Sequence, residues 1–231
     1  MGQPVIHRVT ELDLAFEPWD WPFARDNAAA ISAHFRTERA RKPALFNGKV
    51  LLMRDLQFSG SRVSARYFET DFASFLAWRD FGFPGEGVSN GFGMGALRGS
   101  DGVFLMGEMS AHTSNAGRIY FPSGTPEPDD LAGDRVDIAG SIKREVTEET
   151  GLTETDYAPV QEFHCVVMTP LVAIIQVLNL MAPAAVIKDR ILANMARQDV
   201  PEFSAVHLVR DAGDIAPSTP RFVAAFVEAM T

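Results

Sequence analysis

The chain has 231 residues, 46% of them hydrophobic and 22% charged, with a formal net charge of −9. That length gives one large domain or two modest ones with ample core. The acidic balance argues against a general nucleic-acid binder, which holds phosphate backbones with clustered Lys and Arg, so an anionic partner would need a cation as intermediary.

From the N-terminus, Met1 to Ile6 carry no basic-then-apolar leader pattern and no myristoylation motif, which makes a cytoplasmic location the default expectation. A strand is expected near residues 5–14, followed by the irregular Pro18-Trp19-Asp20-Trp21-Pro22 segment and a helix over about 26–41 that Pro43 closes. Two strands over 50–57 and 62–69 flank a Ser-Gly-Ser turn, and Asp71 is placed to cap a helix running to about residue 80. These elements form a small α/β unit over residues 1–88. Its Trp19, Trp21 and Phe23 leave two uses open, packing on the second domain or a homodimer contact.

Glycine then becomes dense, and a boundary is placed near residue 88, with a second domain over 89–231. Gly91-Phe92-Gly93-Met94-Gly95 lacks the spacing and following helix of a phosphate loop, and reads as a strand with close backbone neighbours. A hairpin follows over 94–97 and 103–108, then a short strand at 119–121 and a loop from Pro122 to Val136. A helix is expected over 138–150, strands over 162–169 and 172–181, a helix over 184–195 and a strand over 203–209. The last helix, over about 219–230, would carry Pro220 in its first turn. The apolar run at 171–187 is shorter than the ~20 residues of a membrane helix and contains Gln176, Asn179 and Pro183, so it reads as a buried central strand with no membrane role. The lone Cys165 excludes an intrachain disulfide and, flanked by Phe163, Val166 and Val167, reads as an inert buried thiol.

The most telling stretch is Arg144-Glu145-Val146-Thr147-Glu148-Glu149-Thr150-Gly151-Leu152. At ~100° per residue, Glu145, Glu148 and Glu149 share about a third of the helix circumference. Like charges at that spacing cost a few tenths of a kcal/mol per pair, and clustered oxygen ligands suit Mg²⁺ or Mn²⁺. The alternative is a solvated acidic helix end with Gly151 as its stop.

Together with Tyr120-Phe121-Pro122-Ser123-Gly124, this stretch resembles the signature of the Nudix hydrolases, in which a Gly and a Glu precede R-E-U-x-E-E-x-G-U, U being a bulky aliphatic residue. Every defined position of the second half is met by Arg144, Glu145, Val146, Glu148, Glu149, Gly151 and Leu152. The first half departs. Ser123 stands where the usual Pro-Gly-Gly has its first glycine, Asp130 stands for the Glu, and thirteen residues in place of seven precede Arg144. Aligned backwards from Arg144, Val136 takes the Glu position.

The resemblance implies an α/β/α sandwich around a mixed sheet, preceded here by the N-terminal α/β unit. It also implies Mg²⁺-dependent hydrolysis (Mn²⁺ as substitute) of a nucleoside diphosphate linked to another moiety. Glu145, Glu148, Glu149 and the Gly124 carbonyl would hold the metal, with Arg144 orienting one of the glutamates, Glu148 by its i+4 spacing. A general base or fourth acidic ligand comes from a later loop in this family, and Glu202 is the candidate. Ser123, Gly124, Arg118 and His112 are candidate substrate contacts. His164 and His207 read as structural, and Tyr120, Phe81 and Phe83 as core in preference to base-stacking. The Gly124-Thr-Pro-Glu-Pro128 loop is similar to that of the animal UDP-sugar pyrophosphatases of this family; ADP-ribose, dinucleotides and coenzyme A stay open as substrates. The rival reading is a non-catalytic nucleotide-binding module.

Overall fold

The computed structural model describes residues 2–231; Met1, at the head of the expected N-terminal unit, lies outside them. In chain order the elements are β1 (Val5–Val9), β2 (Glu11–Phe16), α1 (Pro22–Asp26), α2 (Ala28–Arg41), β3 (Lys49–Ser59), β4 (Arg62–Asp71) and α3 (Phe72–Asp80). Then come β5 (Val88–Arg98), β6 (Phe104–Met109), β7 (Ile119–Tyr120), β8 (Ser123–Gly124), β9 (Leu131–Ala132), β10 (Arg135–Val136) and α4 (Ile138–Thr150). The chain finishes with β11 (Tyr157–Met168), β12 (Leu171–Leu180), α5 (Ala184–Met195), β13 (Phe203–Val209) and α6 (Arg221–Met230). The class is mixed α/β, as expected. Among the described residues no helix is long and apolar enough to cross a membrane.

The chain divides into two compact units. The larger comprises the residues up to Thr10, Phe92–Gly124 and Ile138–Thr231. In its sheet β1 runs antiparallel to β11, from Val5 opposite Val167 to Val9 opposite Phe163, and β11 runs antiparallel to β12. β12 lies beside β5, which pairs with β6 and β8, and β6 also pairs with β7 and β13. The β-branched run of β12 is buried from Val172 to Leu178, as a strand covered on both faces requires.

Alternation along β5 sends neighbouring residues to opposite faces. Gly93 and Gly95 lie under α4, where an added Cβ would stand 2.7 Å from Ile142 Cγ1 and 2.6 Å from Val146 Cγ2 respectively. Phe92 faces the other way, against Phe222 of α6 with ring centroids 5.7 Å apart. Phe226 of α6 packs on Phe104 and Phe121 at 6.0 and 5.8 Å. Helices thus cover both faces of this sheet, and the glycine-dense stretch serves close packing. Glycine here removes the side chain that would hold α4 away from the strand.

The smaller unit comprises Glu11–Gly91 and Thr125–Asp137. β2 is parallel to β4, β4 and the start of β5 flank β3 antiparallel, and β10 pairs with β2 and β9. Trp21, Val50, Leu52, Phe68, Phe75, Trp78 and Val88 form its core, with Phe23 packed against them. Trp21 and Phe23 are therefore used inside their own unit, while Trp19 packs edge-on against Phe68 and carries the Arg54 guanidinium 5.4 Å above its ring. Asp71 caps α3 by accepting from the Ser74 amide at 2.8 Å, as its position in the sequence suggests.

Four local expectations are corrected. The strand expected over 5–14 breaks at Thr10, and its halves belong to different units. The helix expected from Asp26 is interrupted at Asn27. The last helix starts at Arg221, with Pro220 at the N-cap and outside the first turn. Phe81 is 45% exposed and rests on His34, so it is not core, whereas Phe83 does pack on Trp78.

Candidate active site

Helix α4 presents Ile138, Ile142 and Val146 to the sheet in a row of i, i+4 steps. That row ends on the buried Thr150, and Glu149, three residues on from Val146, shares its face. Glu149 is 2% exposed, because the fold puts a carboxylate where the pattern would place an aliphatic side chain. Glu145 is mostly covered and Glu148 is 59% exposed, so three glutamates that share a helix face have three different environments. Gly151, in the left-handed region at φ 73°, stops the helix, and its amide donates to the Thr147 carbonyl at 2.8 Å.

The buried Glu149 carboxyl accepts from the Ser123 amide and shares a hydrogen bond with the Glu202 carboxyl. Burial drives its pKa well above the usual carboxylate range, and the charges of Glu202 and then Glu145 add to the shift. Its Oε2 has no hydrogen-bond partner. Like charges that meet away from water disfavour the ionised form of the more buried carboxyl.

Gly124 lies directly against Glu145, and a Cβ there would collide with the carboxylate. Register places Gly124 opposite Gly93 and Ser123 opposite Met94, which seats the short β8 on β5. Arg144 bonds to Glu145 Oε1 at 2.9 Å and to Glu148 Oε2 at 3.3 Å, so it bridges the covered glutamate and the exposed one. An open groove of about 520 Å³ beside this helix is lined by Lys143, Arg144, Thr147 and Glu148, and includes neither Glu149 nor Glu202.

Glu145, Glu149, Glu202, Ser123 and Gly124 thus come together, while Glu148 stays at the solvent edge. His112 and Arg118 sit on the exposed loop between β6 and β7. Asp130 is elsewhere in role: buried in the smaller unit, it accepts from the Glu127 amide at 2.9 Å, and its carbonyl accepts from the Asp137 amide at 2.8 Å. His164 is buried against Phe226, and burial lowers its pKa; His207 pairs with Glu108 at 2.9 Å. Cys165 is fully buried, which pushes its thiol up to about 12.

Two groups near the carboxylates escaped the sequence reading. Ser110 grips the segment that carries Glu202, its amide donating to the Glu202 carbonyl and its hydroxyl to the Pro201 carbonyl, both at 2.8 Å. Tyr120 is buried, as read, but its hydroxyl feels the charges of Glu149, Glu202 and Glu145. Neither contact has a local sequence signature, since Ser110 and Pro201 are 91 residues apart.

Among the described residues, no three His, Cys, Asp or Glu side chains already stand as a metal-ligand set. The donors are hard carboxylate oxygens, and the unpartnered Glu149 Oε2 is a buried acceptor with nothing to accept from. Both features fit a small divalent cation.

The sequence matches no protein-family model and no curated protein. Among solved structures, it is similar to a MutT protein from Methanosarcina mazei Go1, at 19% identity and TM-score 0.39 over 62% of this chain and 92% of that one. It is also similar to RenU, a Nudix hydrolase from M. smegmatis, at 15% identity and TM-score 0.39 over 59% and 81%. A Nudix hydrolase from Nitrosomonas europaea aligns at 15% identity and TM-score 0.34 over 52% and 72%. Likeness at this level carries no weight for activity.

Proposed function

We propose that the chain is a Nudix-type hydrolase that cleaves the pyrophosphate bond of a nucleoside diphosphate linked to another group. The products are a nucleoside monophosphate and a phosphorylated second product, and a UDP-sugar is the favoured substrate class. One observation carries this reading: Glu149 is buried with an unpartnered oxygen and faces two further carboxyls. No structural role calls for that arrangement, which costs desolvation and repulsion together. It becomes favourable once a cation is shared.

Glu145, Glu149 and the Gly124 carbonyl would hold Mg²⁺, with Glu148 joining from the solvent side. The ion, when bound, offsets the charge of the diphosphate and acidifies a water. Glu202 takes the proton of the attacking water as its oxygen bonds to phosphorus, and the bridging oxygen leaves with the electron pair of the broken P–O bond. Ser110 keeps Glu202 in reach by fixing the two carbonyls of its peptide segment. Arg144 holds Glu145 and Glu148 apart from each other's charge. Ser123, Arg118 and His112 are the substrate contacts this reading assigns.

The test is incubation with Mg²⁺ and UDP-glucose, ADP-ribose, NADH, coenzyme A and nucleoside triphosphates, with products separated by chromatography and Glu149→Gln as control. Release of a nucleoside monophosphate by the parent protein alone is expected. No turnover of any of these with Mg²⁺ or Mn²⁺ would overturn the proposal in favour of the binding module.

A further inference from the structure

The hydroxyl of Tyr120 is a buried donor with no part in the proposed hydrolysis. Phe121 next to it points to α6, where it packs on Phe226, so alternation turns Tyr120 to the α4 face. Register sets Tyr120 opposite Gly107 on β6, three residues ahead of Ser123, whose amide holds Glu149. The side chain is 6% exposed, and Glu149, Glu202 and Glu145 all act on its hydroxyl.

Asn115, on the exposed loop between β6 and β7, donates its Nδ2 to the Tyr120 oxygen at 3.1 Å. An oxygen that accepts from Asn115 still has its own proton to give, and no acceptor among the described residues takes it. A phenol kept neutral by burial and by three nearby negative charges remains a donor at any working pH. The ionised carboxylates of this site can only accept, and they repel an entering diphosphate. Tyr120 is the buried neutral donor beside them.

We infer that Tyr120, set by Asn115, donates its hydroxyl proton to a non-bridging oxygen of a diphosphate group bound at the Glu145–Glu149–Glu202 site. The inference rests on the proposed function for the place of the diphosphate, and on the Asn115–Tyr120 geometry for the role of the residue. The loop from Ser110 to Arg118 thereby does two jobs: Ser110 fixes Glu202, and Asn115 fixes the donor facing it. His112 and Arg118 ride on the same loop.

The probe is methylenediphosphonate, a diphosphate that cannot be hydrolysed, titrated calorimetrically in Mg²⁺ into the parent protein, Tyr120→Phe and Asn115→Ala. Tyr120→Phe is expected to weaken binding about tenfold, the loss typical of a hydrogen bond to a charged acceptor, with an unchanged melting temperature. Asn115→Ala should weaken it less, and should have no further effect in the Tyr120→Phe background because both act through one proton. Binding by Tyr120→Phe equal to the parent, or no binding by the parent, overturns the inference. Turnover separates the two proposals: a parent that binds the phosphonate but hydrolyses nothing removes the proposed function and leaves the Tyr120 contact standing. A Tyr120→Phe protein with the parent's affinity and full turnover does the reverse.

Discussion

The Glu145 carboxylate occupies the space that a Cβ on residue 124 would need, so Gly124 lies directly against it. Its backbone conformation is ordinary, so the requirement for glycine is one of room alone. Gly124→Ala should therefore move the tip of a flexible side chain and leave the fold intact. A catalytic group displaced by ~1 Å typically costs ~100-fold in rate. The check is kcat together with the melting temperature: a loss of about that size with unchanged melting is expected, and full activity would separate Gly124 from the site.

Glu149→Gln removes a buried charge and keeps the shape. The folded-state pKa of Glu149 is raised, so its contribution to stability is fully present below the unfolded value of ~4.3 and is lost as pH rises through the folded value. In EDTA, the substituted protein should be at least as stable as the parent at neutral pH and should lose the part of the pH dependence that Glu149 causes. Adding Mg²⁺ should raise the melting temperature of the parent and not of Glu149→Gln. Equal shifts in both proteins would place the cation elsewhere.

Gly95→Ala tests the seat of α4. Its new Cβ would stand 2.6 Å from Val146 Cγ2, 3.1 Å from Leu178 Cδ1 and 3.2 Å from Ile142 Cγ2, all core atoms with little freedom. Overpacking of this kind costs ~1–3 kcal/mol. Urea unfolding should show that loss at an unchanged m-value, with activity lowered as the helix lifts. No change in midpoint would mean that the helix yields freely.

Asp156 joins the end of α4 to α5, accepting from the Thr153 amide at 2.8 Å and from Arg190 at 2.7 Å. The Thr153 bond leads, with Arg190 adding to it, in holding this carboxyl below its usual range. Its stabilisation is present above the unfolded value of ~3.9 and disappears as pH falls through the folded one. Asp156→Ala should cost about 1 kcal/mol at neutral pH, and the gap to the parent should close in acid. A gap that persists at pH 2 would assign the loss to packing.

Helix α5 and strand β13 are seen in the sequence at their observed bounds, and α4 likewise, because each carries a full period of apolar residues between clear stops. The break at Thr10 was not legible: residues 5–14 read as one β-rich run, and only pairing with β11 on one side and β4 on the other separates Val9 from Glu11. The three helix glutamates could be read from spacing. Their unequal burial could not, since it depends on Gly93 and Gly95 letting the helix settle and on β8 closing over Glu145. Ser110 and Asn115 were illegible for the same reason, their partners being set by strand register.

The larger unit is discontinuous, because β1 belongs to it while the following eighty residues do not. During synthesis β1 emerges long before β11, and it has no strand to lie against until residues 163–167 have been made. A fragment trimmed to begin at Phe92 would leave the amides and carbonyls of β11 bare along an apolar edge, which is a template for association with other chains. Expression of the glutamate-bearing part alone would thus yield aggregates unless residues 5–9 were grafted back onto it.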